Sequence, residues 1–287
     1  MKIKDIIRNK GTTVSLEVFP PKEWSKLSES KKTVEQLLTY APDFISVTYG
    51  AAGTTSGYTS ELARDILEHG GVPLSHLTCI NSDQEKITQV VGDLAANGIS
   101  NILALRGDIP QDAGAQTQRA FRYASDLIAY IKAYGDFCVG AACYPEKHPE
   151  SDSVKADILS LKYKQDAGAD FLTTQMFFDN TLFYRFREQC AKEGITIPII
   201  TGIMPITAVA QIGRSVSLSG CTIPKAFSDL TATYAASPED MCKAGIDYAI
   251  RQIRDLIQNG QTNIHIYTMN KPETTAAVLG GIKDLIG

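Results

Sequence analysis

Residues 13–19 read TVSLEVF, and the fold turns on them. Their alternation puts Ser15, Glu17 and Phe19 on one face and Val14, Leu16 and Val18 on the other, the two-residue period of a β-strand. Seven more short apolar stretches share this character: DFISVTY (43–49), LSHLTCI (74–80), NILALRG (101–107), FCVGAACY (137–144), FLTTQMFF (171–178), IPIITGIM (197–204) and NIHIYTM (263–269). Their centres mostly lie about 26 to 36 residues apart, the period of a strand followed by a helix.

Helical patterns fill the gaps. SKKTVEQLLTYA (30–41) groups Val34, Leu37 and Leu38 on one face, and DQEKITQVVGDLAANG (83–98) repeats apolar residues at helical spacing before stopping at Gly98. Segments 124–135 and 181–194 also end on glycine, and 154–170 and 242–259 read as amphipathic helices. An extra segment at about 221–241 precedes the helix at 242–259 and elaborates the last crossover. Eight alternating units without a linker predict an α/β protein, one (β/α)8 TIM barrel over residues 1–287. An open doubly wound sheet is the competing architecture, but no GxG occurs among the 22 glycines. GxSxG and HExxH are absent too.

Composition narrows the function. Lys and Arg total 28 against 32 Asp and Glu, a net charge of −4, which argues against nucleic acid as the partner. No apolar run is long enough for a membrane span, and the opening MKIKDIIRNK does not read as a secretory leader. Six cysteines without a CxxC pair suit reduced thiols in a cytoplasmic protein. No metal site is expected, because His76 and His148 lack neighbouring Cys or Asp ligands.

In a barrel, chemistry sits at the C-terminal strand ends. Those ends carry Glu17, Thr48-Tyr49, His76, Arg106-Gly107-Asp108, Tyr144 with His148, Gln175, Gly202 and Tyr267. The set has few carboxylates and many hydrogen-bonding groups, which suits a flat polar heterocycle. If Glu17 faces the lumen, desolvation is expected to raise its pKa and keep a proton available at neutral pH; the alternative is a structural, salt-bridged glutamate. Asp108 either faces a ligand or sits in a plain turn. Asp157 and Lys164, seven apart on one helix face, offer a carboxylate and an ammonium to ribose and pyrophosphate, or form a solvated edge.

These residues resemble a known family. LEVFPPK (16–22), SVTYGA (46–51), HLTC (76–79), LALRGD (103–108), AACYPEKHPE (141–150), DAGADFLTTQMFFD (166–179), GIMP (202–205) and HIYTMN (265–270) are similar, in order and spacing, to the bacterial FAD-dependent 5,10-methylenetetrahydrofolate reductases. The resemblance implies a flavoenzyme of one-carbon metabolism and methionine biosynthesis that reduces 5,10-methylenetetrahydrofolate to 5-methyltetrahydrofolate by ping-pong hydride transfer from NADH or NADPH through FAD. It implies Glu17 as the acid that opens the methylene bridge, and Asp108 as the carboxylate beside flavin and pterin. Gln175 and Tyr267 would join Glu17 at the folate. Thr48, Tyr49, His76, Leu105, Arg106, Gly107, Asp108, Ala142, Tyr144, His148, Asp157 and Lys164 would hold FAD.

The resemblance also implies a homo-oligomer, and no control by S-adenosylmethionine. In one respect the chain departs from it. Well-studied members carry a phenylalanine after GIMP that stacks on nicotinamide and folate. By spacing, that position falls at Gly213-Arg214-Ser215, with no aromatic nearby. The alternative is therefore a catalytic subunit fed with electrons by a partner protein. A diverged barrel that only binds flavin or folate is a third reading, disfavoured by the intact Glu17, Asp108 and Gln175 set.

Overall fold

The computed structural model describes residues 1–49, 56–80, 82–107 and 120–286, without the side chains of Ser56, Arg214 and Leu218. Eight parallel strands close into one barrel in the order β1 to β8. In chain order the elements are α1 (Ile3–Asn9), β1 (Thr13–Val18), α2 (Leu27–Leu38), β2 (Phe44–Val47), α3 (Ser56–Glu68), β3 (Pro73–Thr78), α4 (Gln84–Ala96) and β4 (Asn101–Leu105). There follow α5 (Ala124–Tyr134), β5 (Cys138–Cys143), α6 (Val154–Asp166), β6 (Phe171–Thr174), α7 (Asn180–Lys192), β7 (Ile199–Ile203), α8 (Ala210–Ser219), α9 (Lys225–Tyr234), α10 (Pro238–Gln258), β8 (Asn263–Tyr267) and α11 (Pro272–Ile282).

The strand alternation sorts side chains between two cores. Val14, Leu16 and Val18 join Ile45, Val47, Ile102, Ala104, Ile264 and Ile266 in the layer between strands and helices. The opposite faces fill the lumen, where Phe44, Leu74, Leu103, Cys138, Phe171 and Ile200 pack together. Ile3 of α1 joins this inner cluster and plugs the lower end, its N–H donating to Asn101 Oδ1 at 2.9 Å. Gly140 makes room for the Phe171 ring, since a Cβ there would lie 2.4 Å from it.

Local signals fix the helices. Asp83 caps α4 by accepting from the Lys86 N–H at 2.8 Å, while Ile87, Val91 and Leu94 are buried. Ser153 caps α6, Asp179 caps α7, and Ser237 with Pro238 starts α10. All eight expected strands are present. The sixth is shorter than expected, ending at Thr174 rather than 178, because Gln175 Oε1 takes the Met176 N–H at 2.9 Å and the chain turns toward the Asp179 cap. The expected extra segment holds α9, and α10 begins at Pro238, four residues before the expected start. A further helix, α11, follows β8. Among the described residues no helix is long and apolar enough to cross a membrane.

Candidate active site at the C-terminal mouth of the barrel

Glu17 faces the lumen near the end of β1, with its side chain 19% exposed. Across the ladder it pairs with Ser46 on one side and Tyr267 on the other. Ser46 Oγ donates to Glu17 Oε2 at 3.3 Å, and the Nε2 atoms of His76 and His265 each lie 3.6 Å from the same oxygen. Below them Ser15 Oγ lies 2.8 Å from His265 Nδ1. The backbone is clamped as well, because Thr268 Oγ1 donates to the Glu17 carbonyl at 2.6 Å and Asn270 makes two bonds to Phe19.

The electrostatics correct one expectation. Burial alone would push the Glu17 carboxyl up, but the His265 ring, His76 and the Ser46 hydroxyl outweigh it and hold the group below the usual carboxylate range. The residue alternation showed a confined carboxylate without showing its partners. Burial takes His76 the other way, down to about 4, against the pull of Glu17. His76 is therefore neutral at pH 7, and its buried Nε2 has no hydrogen-bond partner among the described residues.

The other side of the mouth is built from β4, β5 and α6. Lys164 Nζ donates to the Ala142 carbonyl at 2.8 Å, and burial lowers its pKa. Asp157 is buried and its carboxyl raised, although the His148 N–H donates to it at 3.1 Å. Tyr144 and His148 meet edge to face at 4.6 Å. The His148 ring accepts from the Glu150 N–H through Nδ1, and burial, then Arg106, lowers its pKa. Arg106 donates from Nε to the Gly107 carbonyl at 3.1 Å and forms a two-point ion pair with Glu150, both contacts 2.7 Å. Gly107 sits at φ +88°, and a Cβ there would lie 2.4 Å from Ile80. Leu105 packs on the lumen cluster. Thr48 bonds β1 through its N–H and accepts from Thr59 Oγ1, and Tyr49 leans on the outer core. The structure thus gathers the predicted residues into two groups around one mouth. Asp108 lies outside the described residues.

Gln175 and Tyr267 stand beside the Glu17 group. The Gln175 N–H donates to the Cys143 carbonyl at 2.8 Å, and the Tyr267 hydroxyl donates to the Thr174 carbonyl at 2.6 Å. Ser215 is buried on α8, with Oγ 3.7 Å from Met204 Sδ just past the C-terminal end of β7. Its neighbours are the Phe178–Met204–Phe227 cluster, on which Tyr267 and Met269 also pack.

The sequence reading missed Ser15, Ser46, His265 and Glu150. His265 was within reach, since it sits two residues before Tyr267 and therefore on the same strand face. Glu150 was not, because only the fold brings two loops together.

A closed parallel barrel with a confined carboxylate–imidazole group and a lysine ammonium at its C-terminal end has the layout of a barrel enzyme, with the candidate site at that end. Comparison with known proteins is more specific. The profile of the methylenetetrahydrofolate reductase family matches residues 2–283, and the chain belongs to that family, a family of oxidoreductases. The 5,10-methylenetetrahydrofolate reductases of Pectobacterium carotovorum and Escherichia coli K12 are each 34% identical over 266 residues, 92% of this chain and 88% of the relative. A plant relative, methylenetetrahydrofolate reductase (NADH) 1 of Arabidopsis thaliana, is 34% identical over 97% of this chain and 49% of its own length. Among solved structures, a Clostridium thermocellum protein described as binding two copies of 5-methyl-5,6,7,8-tetrahydrofolic acid shares the fold. Its TM-score is 0.66 at 15% identity, covering 98% of this chain and 97% of that one.

Proposed function

We propose that the chain reduces 5,10-methylenetetrahydrofolate to 5-methyltetrahydrofolate, with FAD as its flavin and NADH or NADPH as donor. The observation that carries this reading is the Glu17 carboxylate held among Ser46, His76 and His265 at the mouth of a barrel of this family. A bound flavin would supply the hydride chemistry.

The residues fit such a cofactor. His76 offers a buried nitrogen without a hydrogen-bond partner among the described residues. Gly107 carries the chain through a left-handed turn beside Arg106 where Ile80 leaves no room for a Cβ. Lys164 spends one donor on Ala142, which leaves two N–H groups for pyrophosphate oxygens. Asp157 suits ribose hydroxyls, and Arg106, oriented by Glu150, adds charge beside them. Asp108, carried over from the resemblance, would place a negative charge beside the pterin.

Opening the methylene bridge needs a proton at the folate nitrogen, and Glu17 is the group placed to pass it. A flat substrate over the mouth removes the last exposed fifth of this side chain, and desolvation moves its carboxyl upward toward protonation. His265 and Ser15 lead inward from the carboxylate and hold its orientation. One mouth serves donor and folate in turn, so ping-pong kinetics are expected.

The test is an anaerobic visible spectrum of the purified chain titrated with NADH. Bleaching of a bound flavin, reversed by methylenetetrahydrofolate, supports the reading. A flavin that NADH leaves oxidised but 5-methyltetrahydrofolate reduces would replace the nicotinamide donor by a partner protein. A chain that binds neither flavin nor folate overturns the proposal.

A further inference from the structure

The upper end of β6 is held in an unusual way. The β6–β7 ladder pairs Leu172 with Ile199 and Thr173 with Ile200, and it stops there. Above it the Thr174–Gln175 peptide is held from two other strands and the Thr174 hydroxyl from a third. Its N–H donates to the Cys143 carbonyl of β5 at 2.8 Å. The Gly202 N–H of β7 donates to Thr174 Oγ1 at 2.9 Å. Its carbonyl accepts from the Tyr267 hydroxyl of β8 at 2.6 Å.

The last contact crosses a strand. β8 pairs with β7, with Gly202 opposite His265 and Ile203 opposite Ile266, so the Tyr267 phenol passes over β7 to reach β6. Gly202 makes that passage. A Cβ there would lie 2.5 Å from the Tyr267 hydroxyl and 2.5 Å from the Thr174 carbonyl oxygen. The Tyr267 ring is also set edge-on against His265 at 5.2 Å. Burial raises the phenol pKa well above its ordinary value, so the donated proton stays in place.

A peptide unit is planar, so fixing its C=O and its N–H from opposite sides fixes its rotation. Gln175 leaves the backbone from that plane. Its Oε1 accepts from the Met176 N–H at 2.9 Å, which orients the carboxamide and leaves the two N–H groups of its nitrogen as its donors.

We infer that Tyr267 is a positioning residue: through the Thr174 carbonyl it aims the Gln175 carboxamide so that its NH2 meets a hydrogen-bond acceptor on the edge of the pterin ring. Tyr267 thus acts on specificity through Gln175, and its hydroxyl does not itself bind substrate. The inference rests on the proposed folate contact of Gln175.

The experiment is a double-mutant cycle on the flavin-loaded protein, read by calorimetric binding of tetrahydrofolate, which has the pterin and no one-carbon unit to transfer. Tyr267→Phe keeps the ring and loses only the hydroxyl. It is expected to weaken binding about fivefold, and Gln175→Ala to weaken it at least as much. The double variant is expected to match Gln175→Ala alone. A general structural role for Tyr267 predicts instead that the two losses multiply, and that result overturns the inference. So does unchanged binding in Tyr267→Phe alongside a loss in Gln175→Ala. If Gln175→Ala itself binds normally, the assignment of Gln175 to the folate has failed instead.

Discussion

The Nε2 of His265 lies 3.6 Å from the Glu17 carboxylate, and the other nitrogen of the ring lies 2.8 Å from the Ser15 hydroxyl. The two residues stand on neighbouring strands near the two ends of the chain, and closure of β8 onto β1 makes them neighbours. An imidazole bonded on its far side has a fixed ring orientation. The carboxylate it faces is therefore presented to the mouth in one direction.

Replacing Glu17 by Gln removes the transferable proton and keeps the shape. Reduction of the flavin by its donor should survive in this variant, while turnover of methylenetetrahydrofolate falls by a factor of about 100 or more. Stopped-flow absorbance separates the two half-reactions. Normal folate turnover would sink the acid assignment.

The pH dependence of stability should carry the mark of His76. Its folded pKa of about 4 is below the ordinary 6.5, so between those values the unfolded chain binds the extra proton and the folded chain does not. Stability therefore rises as pH rises from about 4 to about 6.5, and the His76 contribution levels off above that. A shift of this size corresponds to roughly 3 kcal/mol across the window. Glu17 adds in the same direction at the acid end, because a carboxyl held below its unfolded value loses its contribution as pH falls through the folded pKa. Urea midpoints at pH 4.5 and 7 should differ less in His76→Gln than in the parent chain. Equal differences would show that His76 is not buried as a neutral ring.

How much of this was readable beforehand depends on the range of the interaction. All eight strands and the lumen face of Glu17 followed from local alternation, which needs only a few adjacent residues. The direction of the Glu17 shift did not, because Ser46 and His265 are 29 and 248 residues away and only the closed barrel places them. The Arg106–Glu150 pair joins the loops after β4 and β5 and left no local trace.

Lys164 is half-buried, with the Ala142 carbonyl as its hydrogen-bond acceptor among the described residues and Asp157 as a nearby counter-charge, an arrangement that a ligand anion would complete. Lys164→Met keeps the length and removes the charge. The apoprotein should melt at an equal or higher temperature, and FAD affinity, read by quenching of flavin fluorescence, should fall about tenfold or more. Unchanged affinity would remove Lys164 from the cofactor site.

Gly140 separates fold from site. It lies in the lower lumen, where a Cβ would come within 2.4 Å of the Phe171 ring and 2.9 Å of Leu103. Phe171 is fully buried in a packed cluster, so neither neighbour can withdraw cheaply. Gly140→Ala should therefore destabilise the barrel by about 1–3 kcal/mol, through overpacking and not through backbone strain. Thermal unfolding of the apoprotein reads this as a drop of several degrees. Because the substitution lies below the mouth, the folded variant should still bind FAD with the affinity of the parent chain. Phe171→Leu in the same background should recover part of the lost stability, since it vacates the space the new methyl needs. A double variant no more stable than Gly140→Ala alone would show that the lumen relaxes in some other way.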